Sequence, residues 1–294
     1  MDDARFDAIT RKLGARFSRR TFLGGAAGVA ILAAVPLRMA EAKVNAADAK
    51  STVDQFYQFV DAYDYSSAYA LLGSAWQQSQ SETAFTNGYG DTAFVELHIS
   101  GTAEASGGKQ VNVKLTSWHN DGSIKGYSGH YVVGTEGGAT KIISANIKAA
   151  AAPSVPPLCK LADLSFALQG GDAGAGSRFG SIVGTNTSGD TCVVGGSPAL
   201  TIRDSTTGNR LDSTSEPGTE PIPVTLAPNA SAVAEYRFAN WCGANPPRNF
   251  SVIVQVPGDF GSSTITDGLD TISFPPCLGS GEGALLGVKG WTAS

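Results

Sequence analysis

All four cysteines, Cys159, Cys192, Cys242 and Cys277, lie in the second half of the chain, and no two of them form a C-x-x-C pair. An even set with such wide spacing reads as two disulfides rather than a zinc site or a redox couple, which sets that half in an oxidising compartment. The three histidines, His98, His119 and His130, all precede the first cysteine. Between the two sets runs Lys148 to Pro157 (KAAAAPSVPP), where alanine and proline give a stiff, extended spacer with little to bury. The expected division is a leader over 1–42, an α+β unit over 43–147, a linker over 148–157 and a β unit over 158–294.

The leader reading rests on Ser18-Arg19-Arg20-Thr21-Phe22-Leu23, an apolar run from Gly24 to Val35, and Ala40-Glu41-Ala42. A charged segment, a short apolar segment and small residues at the −3 and −1 positions of a cleavage site make a secretory signal peptide. The pair Arg19-Arg20 with Phe22 and Leu23 behind it resembles the twin-arginine type, which implies export of an already folded protein from a prokaryote. A general secretory signal that contains Arg-Arg, or an uncleaved anchor, are the alternatives; the apolar run is shorter than the ~20 residues a bilayer span needs. No other stretch is long and apolar enough, so no stable membrane span is expected after cleavage. Net charge is −5, and it becomes more negative without the arginine-rich leader. With no basic cluster after Arg38, phosphate neutralisation on nucleic acid is not expected. Met1 and Met39, the two methionines, also belong to the leader, which removes thioether ligands for soft metals.

Past Lys43, Val53, Phe56, Tyr57 and Val60 share one helical face, and Ala68, Leu71, Leu72 and Ala75 repeat the spacing behind Asp64, a capping residue. A third helix follows from the capping-box spacing of Ser79-Gln80-Ser81-Glu82 and the stop at Asn87-Gly88. The period then switches to two. Phe94 to Ser100, Gln110 to Trp118, Gly126 to Val133 and Lys141 to Ile147 read as strands divided at Gly107-Gly108, Asp121-Gly122 and Gly137-Gly138. Three helices followed by a four-stranded antiparallel meander, with Phe56-Tyr57, the run Asp64 to Leu72 and Thr140-Lys141-Ile142-Ile143-Ser144, resemble the nuclear transport factor 2-like superfamily of cone-shaped α+β domains. The resemblance implies a pocket enclosed by sheet and helices, used in some members for isomerase, dehydratase or cyclase chemistry and in many others for binding only. Candidate acid–base groups for such a pocket are His98, His119 and His130, with Asp61, Asp64, Asp91, Glu96 and Tyr131 in support. Alternation sets Phe94, Glu96 and His98 on one strand face and Val95, Leu97 and Ile99 on the other, so the Glu96/His98 side is expected to face solvent or a partner. His130, with its neighbour Tyr131, remains a pocket candidate alongside His98, and His119 is expected at an exposed turn. The histidine spacing carries no zinc signature. Ser106-Gly107-Gly108-Lys109 matches S-x-x-K only formally, because that motif needs a helix and this is a hairpin turn.

Beyond the linker, eight short strands with Gly, Pro, Asn and Ser between them describe an all-β sandwich, immunoglobulin-like in broad architecture. They are 161–168, 178–186, 199–203, 224–226, 232–238, 250–256, 271–274 and 285–291. If the first two form a hairpin, Cys159 and Cys192 meet at its open end, while Cys242 and Cys277 flank the section from Phe250 to Phe274. Pairing 159 with 192 and 242 with 277 closes two loops, each worth about 3 kcal/mol in the chain-entropy model. The cysteine spacing, with Gly184-Thr185-Asn186-Thr187-Ser188 and Val224 to Ala232 between, resembles a secreted domain family of unknown function common in actinobacteria. Asp204, Asp212, Glu216 and Glu220 lie in a polar stretch without the order of a calcium loop, and a solvated turn is the expectation there. No nucleophile elbow, metal quartet or phosphate loop is present, so no cofactor or metal is expected. The expected function is that of an extracytoplasmic cell-envelope protein which binds or organises an envelope component or a small apolar ligand without chemistry of its own. The competing expectation is a small-molecule enzyme that uses the N-terminal cone.

Overall fold

The computed structural model describes residues 44–205, 208, 210–216, 222–242, 249–279 and 284–294. The leader motif, Arg19, Arg20, Ala40 and Ala42, and Glu220 lie outside the described residues. Among those described, the N-terminal region is α+β and the C-terminal region is β-rich.

Among the described residues four helices come first: α1 (Ala46–Asp61), α2 (Tyr65–Ala70), α3 (Ser74–Ser79) and α4 (Glu82–Tyr89). Asn45, Asp64 and Ser81 cap α1, α2 and α4, each accepting a backbone N–H three residues on. The sequence spacing predicts three helices because Ala68, Leu71, Leu72 and Ala75 keep one period. The structure breaks that helix into α2 and α3 at Leu71 to Gly73. There the chain pairs with a strand edge instead: Gly73 N–H donates to the Ile142 carbonyl at 2.8 Å, and Ile142 N–H to the Leu71 carbonyl at 2.9 Å. Glu136 supplies the new cap, taking the Ser74 N–H at 2.7 Å.

The strands β1 (Thr92–Ala105), β2 (Gly108–His119), β3 (Ile124–Glu136) and β4 (Ala139–Ala150) form one antiparallel sheet in sequence order. Its inner face carries Val95, Val111, Val113, Leu115, Tyr131, Val133 and Ile147 against α1, whose Val53, Phe56, Tyr57 and Val60 are all buried. The strands run longer than the sequence periodicity indicates, since pairing continues up to the glycine turns, as at Ala105 with Gly108 and Glu136 with Ala139. This also revises the linker. Lys148, Ala149 and Ala150 belong to β4, paired with Ser128, Tyr127 and Gly126.

In the C-terminal region, β5 (Leu164–Gly174), β6 (Ser177–Asn186), β10 (Thr214–Ser215), β12 (Ser231–Ala239), β15 (Leu285–Val288) and β16 (Thr292–Ala293) make one sheet. A second sheet contains β8 (Ala199–Asp204), β9 (Arg210–Asp212), β13 (Phe250–Gln255) and β14 (Ser263–Ile265), and β7 (Cys192–Val194) pairs with β11 (Val224–Leu226). Alternate residues of the first sheet, among them Leu168, Ile182, Ala234, Phe238 and Val288, share one core with Leu200, Ile202, Val252, Val254 and Ile265 of the second. Residues 271–274, expected as a strand, instead leave a 3-10 turn at Leu269–Thr271 and send Ile272 and Phe274 into this core without ladder pairing. Disulfides join Cys159 to Cys192 and Cys242 to Cys277.

The two regions meet on the outer face of the first sheet. Phe94 and Trp118 are cross-strand partners whose rings stack at 4.7 Å, and both are buried under Val193 and the chain around it. The expectation that this face meets solvent or a partner resolves along β1: Phe94 is covered by the chain's own C-terminal half, whereas His98 is exposed. The linker is part of the joint. Val155 and Leu158 pack on the same cluster, Trp118 Nε1 donates to the Pro156 carbonyl at 3.2 Å, and Val193 N–H donates to the Pro157 carbonyl at 2.9 Å.

A methyl group on Gly195 would lie 2.6 Å from two atoms of the Phe94 ring, which has no free space to retreat into. Gly195→Ala is expected to cost about 1–3 kcal/mol through overpacking. Scanning calorimetry should show the loss as a lowered transition that splits into two, because the substitution loosens the joint and leaves both cores intact. A single transition at unchanged temperature would count against this account.

Candidate functional site

Among the described residues, chemistry-bearing side chains come together in the interior of the N-terminal region and in a groove between the regions; the ion pairs Lys289–Glu235 and Arg237–Glu216 line a further space of about 480 Å³ on the β-rich region. Helix α1 and the inner sheet face enclose the first. Tyr57 and Tyr131 share a hydrogen bond at 2.7 Å between their hydroxyls, and Phe56, Phe85 and Tyr89 pack edge-on or tilted around them. Burial pushes the Tyr131 hydroxyl up to about 12, and that of Tyr57 upward too, so both stay neutral. Asp61, at the end of α1, is 2% exposed and accepts the Val95 N–H at 2.8 Å. Desolvation raises its carboxyl well above the ordinary aspartate value, against the lowering effect of that hydrogen bond.

His119 is the main correction to the sequence reading. Expected at an exposed turn, it is 2% exposed, because β2 runs on through it and pairs it with Thr92. Its Nε2 lies 2.6 Å from the Ser117 hydroxyl, two residues back on the same strand face. Its Nδ1 is 3.7 Å from the Asp91 carboxylate and lacks a hydrogen-bond partner. Burial first, then the Lys125 charge, lowers its pKa, so the imidazole is neutral at physiological pH. Serine, histidine and aspartate thus lie in the order used for nucleophilic catalysis. The space beside them, lined by Tyr57, Tyr89, Tyr127, Leu115, Ser117 and His119, is about 20 Å³. That holds about one water molecule.

The other pocket candidates are dispersed. His98 is exposed on the outer sheet face, where it pairs across the strands with Lys114, and His130 stands on the same face opposite Asn112 and Asn146. Neither joins Tyr131 in the interior. Glu96 is half-buried on that outer side, Asp64 caps α2, and Asp91 lies beside His119. In the C-terminal half, Asp204 is buried at the end of β8, while Asp212 takes hydrogen bonds from Thr201 and Arg210. No three His, Cys, Asp or Glu side chains converge as metal ligands among the described residues.

The groove is the larger space, about 720 Å³, and sequence reasoning did not point to it. One wall is the turn between α1 and α2, residues 62–65, with Asn120; the other is formed by residues 197–199, 213–215 and 255–260. Tyr63 is 43% exposed and Phe260 83%. Tyr63 adopts a left-handed backbone, φ 57°, which costs a non-glycine residue about 1–3 kcal/mol and persists only where surroundings enforce it. Here its hydroxyl donates to the Ala93 carbonyl at 2.8 Å and its ring meets Tyr65 edge-on. Gly258, at φ 89°, turns the opposite wall tightly against Leu158 and Ala93, so the groove is held by the same joint that joins the regions. These loop residues have no periodicity, and the only local signal was an aromatic residue amid turn formers in Gly258-Asp259-Phe260-Gly261.

Residues 159–281, less than half of the chain, match the family model described as a domain of unknown function, DUF4232. The match covers most of the β-rich region, including both disulfides. No curated protein matches the chain. Among the described residues, no helix is long and apolar enough to cross a membrane.

Asp61 and His119 give stability opposite pH slopes. The raised Asp61 pKa means the folded state holds a proton that the unfolded chain releases near pH 4, so stability falls as pH rises above that value. The lowered His119 pKa means the unfolded chain gains a proton first, so stability falls as pH drops below about 6.5. Urea unfolding across pH should therefore show Asp61→Asn flattening the upper slope, since asparagine keeps the acceptor for Val95 N–H. His119→Gln should flatten the lower one. Slopes unchanged by both substitutions would contradict the assignment.

Proposed function

We propose that this is an exported, extracytoplasmic binding or interaction protein without chemistry of its own, and that its ligand is held in the groove between the regions. The observation that carries the reading is the contrast in space: about 20 Å³ beside the buried His119 and about 720 Å³ in the groove. Small-molecule pockets are roughly 300–1,000 Å³. The interior has the groups an enzyme would use, but tyrosine and phenylalanine rings fill it, which weighs against the isomerase, dehydratase or cyclase reading. A leader of the twin-arginine type, two disulfides and the match of the β-rich region to DUF4232 support a location outside the cytoplasm.

In this reading the N-terminal region is nuclear transport factor 2-like, with its cone filled, and the C-terminal region is an immunoglobulin-like sandwich. The helix-then-meander order and the shared core of two β-sheets support those assignments. The division into a unit over 43–147 and another over 158–294 fits two separate cores, and the joint at Phe94 fixes their relation. The partner is an envelope component or a small ligand.

A thermal-shift screen of the purified chain against envelope glycans, sterols and small hydrophobic acids should yield a stabilising compound. Hydrogen exchange should then show protection of residues 62–65 and 255–260 and no change at Tyr57 and Tyr131. Protection centred on the tyrosines, or turnover of the compound, would overturn the proposal.

A further inference from the structure

We infer that the groove takes a neutral, hydroxyl-rich chain, a glycan segment whose sugar rings stack on Tyr63 and Phe260; this rests on the groove being the ligand site. Charge decides the first step. Among the described residues no lysine, arginine or histidine lines the groove, and its ionisable groups include the carboxyls of Asp64 and Asp259. Asp64 accepts the Ser67 N–H and the Ser66 hydroxyl, and Asp259 accepts the N–H groups of Gly261 and Leu161. Such a lining offers no cation to phosphate, sulfate or carboxylate, and its carboxylates repel them at neutral pH.

Shape and surface chemistry decide the second step. A pyranose has a face of C–H bonds and a rim of hydroxyls that donate and accept. Phe260 presents its ring almost wholly to solvent, and Tyr63 presents a ring already fixed by its backbone and its hydrogen bond to Ala93. Rigid aromatic surfaces bind at low entropic cost. Around them stand neutral groups of both hydrogen-bonding senses, the amides of Asn120 and Gln255 and the hydroxyl of Thr214. A proline-rich peptide would also lie on aromatic rings, so it is the competing probe in the test below.

Titration calorimetry on the full chain tests this, with soluble neutral oligosaccharides (mannan, arabinan, galactan and β-glucan fragments), an oligo-uronate and a P-x-x-P peptide as probes. A neutral fragment should bind with an affinity that changes less than about twofold between low and high salt. Phe260→Ala, at an exposed position, and Tyr63→Asn, which suits a left-handed backbone, should each weaken it at least about tenfold, the size of a hot-spot loss. Phe179→Ala, an exposed aromatic residue outside the groove, should leave it unchanged. If only the peptide or the oligo-uronate binds in a Phe260-dependent way, the glycan assignment falls and the groove reading survives. If no probe shows Phe260 dependence, both fall.

Discussion

Phe94 and Trp118 lie on the sheet face that points away from the helices, where an aromatic pair would otherwise stand in water. Covering them with Val193, Gly195 and the linker residues Val155 and Leu158 removes that exposure, and much of the rest of the molecule depends on the cover. It fixes the linker as an element of structure. It also brings the α1–α2 turn opposite residues 255–260, so the groove exists only because the joint does. The close approach works because position 195 has no side chain; any Cβ there would meet the Phe94 ring.

The interior of the N-terminal region follows a different rule. Its polar groups are paired or held neutral: Tyr57 with Tyr131, Asp61 with the Val95 backbone, and His119 with Ser117. Each would be costly to bury in charged form, and the pKa directions of Asp61 and His119 favour the uncharged form of each. Residues that resemble catalytic groups lie here among packed aromatic rings, beside a space of about 20 Å³. What is exposed instead is a rim of loops carrying Tyr63 and Phe260, where strain and exposure coincide.

Local pattern carried much of the architecture. Period-two alternation with Gly107-Gly108, Asp121-Gly122 and Gly137-Gly138 between the runs was enough to order β1 to β4, because hairpins are decided by neighbouring residues. Strand order likewise selected Cys159 with Cys192 and Cys242 with Cys277. Where a distant element competes with local preference, the reading failed. The helix through Leu71 broke because Ile142 offers it a strand edge, His119 went inside because Thr92 extends the ladder, and residues 271–274 gave up pairing to fill a core.

The sequence by itself determined the succession of helices and then strands, the confinement of disulfides to the second half, and which strand faces are apolar. All are consequences of residue type at fixed spacing. Only the tertiary structure decided that aromatic rings pack the interior of the N-terminal region, that His119 is buried beside Ser117, that Phe94 is covered by the chain's own second half, and that a groove opens between Tyr63 and Phe260. These depend on contacts between residues far apart in the chain, whose fit is a matter of volume and backbone approach. Neither leaves a periodic trace in the sequence.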